Sequence, residues 1–152
     1  MTKIDNFFES IKDKKVAFCG LGISNFPVME MFVNKGIDVT ACDRRNFEDL
    51  GDNAKKAEEL GVKLSLGDNY LKNLDVDIVF RTPGMKYYMD ELVEMRSRGV
   101  VVTSEMELFF ELADCHIIAV TGSDGKTTTT SIVSEFLKAV GKKVFLGGNI
   151  GK

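Results

Sequence analysis

Short apolar runs alternate with amphipathic stretches along this chain, and that alternation leaves few folds open to it. Val16 to Cys19 has no polar side chain and ends at once in Gly20-Leu21-Gly22; Pro27 to Lys35 follows with helical character and stops at Gly36; Ile37 to Cys42 is the next apolar run. Strand, glycine turn, helix and strand in that order imply a parallel sheet covered by helices, because parallel neighbours need a crossover. The alternation continues with a helix near Asp52 to Leu60, strands at Val62 to Leu66 and Val76 to Phe80, a helix near Tyr88 to Arg98 and a strand at Val100 to Val102. Ser104 followed by Glu107 is a capping-box pattern and predicts a helix from Glu105 to about Ala113. The predicted fold class is α/β.

Ahead of this, Ile4, Phe7, Phe8 and Ile11 recur at helical spacing and predict a short amphipathic helix. Beyond Ala113 the alternation starts again: His116 to Val120 reads as a buried strand, a glycine-containing loop follows, and Ile132, Val133, Phe136, Leu137 and Val140 mark one face of a helix that stops at Gly141. Lys143 to Leu146 reads as one more parallel strand. The division drawn is a Rossmann-like domain over 1–103 and a second, P-loop unit over 104–152. One strand-helix-strand unit does not enclose a core of its own, so the second is read as the truncated start of a larger domain.

The composition, 44% hydrophobic and 28% charged over 152 residues, is that of a folded globular chain. A net charge of -3 gives no electrostatic footprint for nucleic acid or an anionic membrane, so any bound anion must be held by a local site. Cys19, Cys42 and Cys115 are widely spaced without metal-ligand pattern, and read as buried free thiols of a reducing compartment. With no long apolar segment at the start or elsewhere, the chain reads as cytoplasmic.

Two glycine turns carry the chemistry. Gly122-Ser123-Asp124-Gly125-Lys126-Thr127 lies between a predicted strand and a predicted helix, where backbone N-H groups and the helix dipole converge on an anion. Lys126 would reach terminal phosphates, and the Thr127 hydroxyl would meet a magnesium ion bridging them. The generic P-loop places four residues between its glycines; here Gly122 and Gly125 are separated by two, and Val120 holds the usual first-glycine place. The other turn, Gly20-Leu21-Gly22-Ile23-Ser24-Asn25, has Asn25 where a dinucleotide fingerprint needs a third glycine. Asp43 ends the next strand, about where a Rossmann protein places its ribose-binding acid, roughly 20 residues on. Arg44 and Arg45 beside it could meet a phosphate or a base, or form a solvated loop.

Taken together, Gly20-Leu-Gly22, Thr121-Gly-Ser-Asp-Gly-Lys-Thr-Thr128 and Gly147-Gly-Asn149-Ile-Gly151 resemble the Mur ligases, ATP-dependent amide ligases of peptidoglycan precursor synthesis. The unusual glycine spacing of the loop is the spacing of that family. The last of these runs, with Ser104-Glu-Met-Glu-Leu-Phe109, resembles the branch that adds D-glutamate to UDP-N-acetylmuramoyl-L-alanine. The resemblance implies that Ile23 and Ser24 meet the UDP diphosphate, Asp43 the uracil side, and Thr82 to Gly84 the edge of the same pocket, with Arg44 and Arg45 beside it. Arg44 departs from the threonine usual after this aspartate. Gly122, Ser123, Asp124, Gly125, Lys126, Thr127 and Thr128 would hold ATP and magnesium, with Lys126 catalytic and Thr127 on the metal. Asn149 would reach the muramoyl end of the substrate.

The same resemblance implies a monomeric parent enzyme whose remaining magnesium ligands, adenine contacts and D-glutamate-binding domain lie beyond Lys152. The chain alone is then expected to show no ligase turnover. Two other readings stay open: an NAD-binding oxidoreductase or regulatory domain built on Gly20, Gly22 and Asp43, and a non-enzymatic nucleotide-binding module.

Overall fold

The computed structural model describes residues 1–22 and 25–148, which fall into two compact units, Met1–Asp114 and Cys115–Lys152. In the first, the chain runs α1 (Lys3–Ser10), β1 (Lys15–Cys19), α2 (Phe26–Asn34), β2 (Asp38–Asp43), α3 (Phe47–Leu50), α4 (Asp52–Glu59), β3 (Lys63–Leu66), β4 (Ile78–Phe80), α5 (Asp90–Ser97), β5 (Val101–Thr103) and α6 (Glu105–Leu112). The five strands form one sheet in the order β3-β2-β1-β4-β5, every neighbouring pair parallel. This is the doubly wound, Rossmann-like α/β arrangement, and its strand order reverses between β1 and β4.

β1 is apolar throughout its buried length because it is covered on both faces. Val16 and Phe18 join a core with Val39, Ala41 and Phe80 beneath helices α1, α2, α4 and α6. Ala17 and Cys19 point the other way, into a smaller core with Cys42, Val79, Leu92 and Met95. The larger core is organised by aromatic rings. Phe18 and Phe80, register partners on β1 and β4, stack at 4.6 Å, and Phe32 of α2 meets both edge-on at 5.2 and 5.4 Å. Phe8 of α1 closes on Phe32 at 5.0 Å, so the N-terminal helix is tied to the same group.

α6 packs with the first unit, where Leu108 is buried in the larger core, so the compact units divide after Asp114 and not after residue 103. Its N-cap differs in detail from a full capping box: the Ser104 hydroxyl accepts from the Glu107 N-H at 3.3 Å and donates to the Glu107 carboxylate at 2.7 Å.

In the second unit the described element is α7 (Lys126–Ala139). The predicted strands His116 to Val120 and Lys143 to Leu146 are not strands in the structure. Both segments instead line a groove of about 480 Å³ beside α7, together with Val133, Ser134 and Leu137. Apolar sequence marks a segment for burial, but a strand exists only where a neighbour about 4.8 Å away completes its ladder. Cys115 also departs from the sequence reading: it is exposed, whereas Cys19 and Cys42 are buried.

Candidate functional site

Ligands of open α/β sheets bind outside the carboxyl ends of the strands where the strand order reverses, here beyond β1 and β4. The chain leaves β1 through Gly20 at φ +93°, a conformation that L side chains rarely adopt. A β-carbon there would stand 2.9 Å from Cγ2 of Thr82, just after β4, so glycine is required by both backbone and space. Gly22 faces open space, with nothing within 4 Å of where its β-carbon would be. Thr82 thus closes on the turn, and Gly84 lies exposed two residues further on.

Three polar side chains pin the turn. Asn25, 7% exposed, donates from Nδ2 to the carbonyls of Cys19 at 2.9 Å and Gly20 at 2.6 Å. The residue that breaks the dinucleotide fingerprint is therefore the brace that replaces its third glycine. Asn53 on α4 donates to the Leu21 carbonyl at 3.2 Å. Asp43, at the end of β2 and 7% exposed, accepts the Leu21 N-H on Oδ2 at 2.9 Å. Neither asparagine is among the sequence-derived site residues. For Asn25 the signal was present, a short amide side chain directly after a glycine turn; Asn53 is brought in by the fold from α4, with α2, β2 and α3 between it and the turn in sequence.

Arg45 forks onto the same carboxylate. Its Nε donates to Oδ1 at 3.0 Å, its Nη2 to Oδ2 at 2.8 Å, and its backbone N-H to Oδ1 at 2.9 Å. Burial by itself raises the Asp43 carboxyl, but the side-chain fork, the backbone bonds from Arg45 and Leu21 and the guanidinium charge outweigh it and hold the pKa at about 2. The carboxylate is ionised at any physiological pH. Arg44 faces a different partner, an exposed ion pair with Asp68 at 3.8 Å. Cys19, buried beside this cluster, has its thiol pushed up to about 12 by burial and then by the Asp43 charge, so it is inert as a nucleophile.

The second glycine turn is built on α7. Gly122 takes φ +150° and Gly125, the N-cap of α7, is left-handed at φ 72°. The Lys126 ammonium folds back on this loop, donating to the carbonyls of Gly122 and Ser123. A lysine so held is already placed over the loop that the sequence assigns to phosphate. Ser123, Asp124, Thr127 and Thr128 are exposed around it. Magnesium in such loops is bound by one or two protein oxygens, with phosphate oxygens and water completing the octahedron, and the Thr127 hydroxyl fits that donor set. Among the described residues there is no cluster of three or more His, Cys, Asp or Glu able to hold a metal alone.

Of the sequence-derived site residues, the structure gathers Asp43, Arg45 and Thr82 around the Gly20 turn, and Gly122 to Thr128 around the start of α7. Ile23, Ser24 and Asn149 lie outside the described residues.

Over nearly all of its length the chain is similar to curated Mur ligases. It is 48% identical over 151 residues, 99% of its length, to the UDP-N-acetylmuramoylalanine--D-glutamate ligase of Acetivibrio thermocellus, and 47% identical over 150 residues to the ligase of the same name from Ruminiclostridium cellulolyticum. It spans about a third of the length of these curated relatives, 32% in each case. Among solved structures it is similar to a murein peptide ligase from Psychrobacter arcticus, with a TM-score of 0.54 and 26% identity over 84% of this chain and 27% of that one. The corresponding Neisseria meningitides ligase, at TM-score 0.50 and 22% identity over 84% of this chain and 40% of that one, shares the fold. No family model matches the chain. Among the described residues no helix is long and apolar enough to cross a membrane.

Proposed function

We propose that this chain forms the UDP-binding and phosphate-loop portion of a cytoplasmic ATP-dependent ligase that joins D-glutamate to UDP-N-acetylmuramoyl-L-alanine. The observation that carries the proposal is the likeness to the D-glutamate ligases at 48% identity through 151 residues, both glycine turns included. The geometry fits it at each turn. Gly20 and Gly22, braced by Asn25, Asn53 and Asp43, form a tight turn at the sheet's switch point, where a diphosphate would lie between the turn and Thr82 to Gly84. Ile23 and Ser24 would meet the same diphosphate, and Asn149 the muramoyl end.

The chemistry explains why a phosphate loop accompanies a sugar-nucleotide site. A carboxylate is a poor electrophile, so the γ-phosphoryl of ATP is moved onto the alanyl carboxylate, and the D-glutamate amine displaces phosphate from the resulting acyl phosphate. What this chain supplies is positioning and charge: Gly122 to Thr128 present N-H donors to the phosphates, and Lys126 neutralises charge that builds on the moving group. Thr127 would help hold a magnesium ion, which would supply further charge neutralisation at the phosphates. To reach those oxygens the Lys126 ammonium exchanges the Gly122 and Ser123 carbonyls for phosphate. No side-chain nucleophile is needed.

The test is a chimera in which this chain replaces the matching residues of the Acetivibrio thermocellus ligase. Sustained ADP release over many turnovers is expected only with both the UDP-sugar substrate and D-glutamate present. The Lys126→Ala chimera should then lose roughly 100-fold or more in turnover, the scale of a transition-state charge contact. A folded chimera that is inert, or one indifferent to Lys126→Ala, would contradict the proposal.

A further inference from the structure

Asp43 has no acceptor position left for a ligand. A carboxylate offers about four lone-pair sites, and all are taken: Oδ1 by the Arg45 N-H and Nε, Oδ2 by the Leu21 N-H and Arg45 Nη2. Two of these donors are backbone, the Leu21 N-H of the glycine turn and the Arg45 N-H just after β2. The other two are one guanidinium, whose side chain is 52% exposed while that of Asp43 is 9% exposed. The bonds that hold the carboxylate in place are thus separate from those that cover it, and only the cover is free to swing into solvent.

We propose that Arg45 is a displaceable cover on Asp43 that makes this site select a nucleoside diphosphate over the bare nucleoside. This rests on the UDP-binding reading of the Gly20 turn. A nucleoside that offers an N-H or O-H to Asp43 must first displace the guanidinium, and leaves it without its charged partner. A nucleoside diphosphate displaces it too, but brings a phosphate beside the turn with which the released fork pairs bidentately. The exchange then conserves charge-assisted bonds only when phosphate is present. Arg45 is suited to this and Arg44 is not: Arg45 shares Oδ2 with the Leu21 N-H, so its fork lies against the glycine turn, whereas Arg44 pairs with Asp68 in solvent.

Calorimetric titration of the chain and of Arg45→Met with UDP and with uridine tests the idea. Losing the cover should tighten uridine binding by about tenfold or more, the worth of one charge-assisted contact, and leave UDP binding little changed, so the preference for UDP falls by the same factor. An unchanged UDP-to-uridine ratio, or weaker uridine binding, would overturn the cover. Because removing the fork also removes two of the bonds that hold Asp43, a second measurement follows the Arg45 Nε-H resonance of the unaltered chain. That signal should move on saturation with UDP; if it stays put while UDP binds, the cover falls and the UDP site stands. If the unaltered chain binds neither ligand, the UDP-site reading falls and takes the cover with it.

Discussion

At Gly20 two independent demands meet, a left-handed backbone and the Thr82 methyl, and they are separable by mutation. Gly20→Ala should destabilise the chain by about 2 kcal/mol or more in urea denaturation, combining the roughly 1 to 2 kcal/mol of left-handed strain with the contact at 2.9 Å. Adding Thr82→Ser removes the offending Cγ2 and should recover the steric part while leaving the backbone part; no recovery at all would mean the contact is not felt. Asp43 makes a prediction of a different kind. Its carboxyl is held at about 2 against an ordinary 3.8, so its contribution is fully present above about pH 4 and is lost as pH falls through about 2. From the linkage relation that contribution is about 2 kcal/mol. Asp43→Asn should therefore be less stable than the unaltered chain by about that amount at neutral pH, with the gap closing only in acid. A gap constant from pH 7 to 2 would contradict the clasp. These roles were half legible in the sequence: Asp43 stood out by its distance from the glycines, but nothing in Asp-Arg-Arg says which arginine turns back on the acid.

Among the elements, the Gly20 to Asn34 turn and helix show how a departure from a pattern can be the functional feature. Restoring the dinucleotide fingerprint with Asn25→Gly should not improve the turn. It removes both bonds to the Cys19 and Gly20 carbonyls and is expected to cost about 1 to 3 kcal/mol, read from the shift in the denaturation midpoint. A more stable Asn25→Gly variant would mean that the brace is dispensable. The elements of the first unit were legible because their signals are local. Apolar runs with a glycine at one end or both gave β1, β2 and β3 within about a residue, and helical character gave α1, α2 and α5. The short α3 went unread, since four residues are too few to show a period. The strands expected at 116–120 and 143–146 failed for the opposite reason. Their apolar character is real, but a strand is a relation between segments, and no window of sequence contains the partner.

The molecule as a whole places two glycine turns in one chain, each before a helix and each in its own compact unit. The order of turns was legible at once because both motifs are contiguous. The strand order β3-β2-β1-β4-β5, which sets Thr82 against Gly20, was not, because sequence order does not reveal where a sheet reverses. That reversal marks where a ligand of such a sheet binds, and which ligand it is stands open to direct measurement. Calorimetric titration of the chain with UDP-N-acetylmuramoyl-L-alanine, beside an identical titration with NAD, decides between the two ligands such a fold accommodates. Saturable binding of the UDP-sugar and none of NAD is the predicted result. Binding of NAD alone would contradict it and make the Gly20 turn and Asp43 a dinucleotide site.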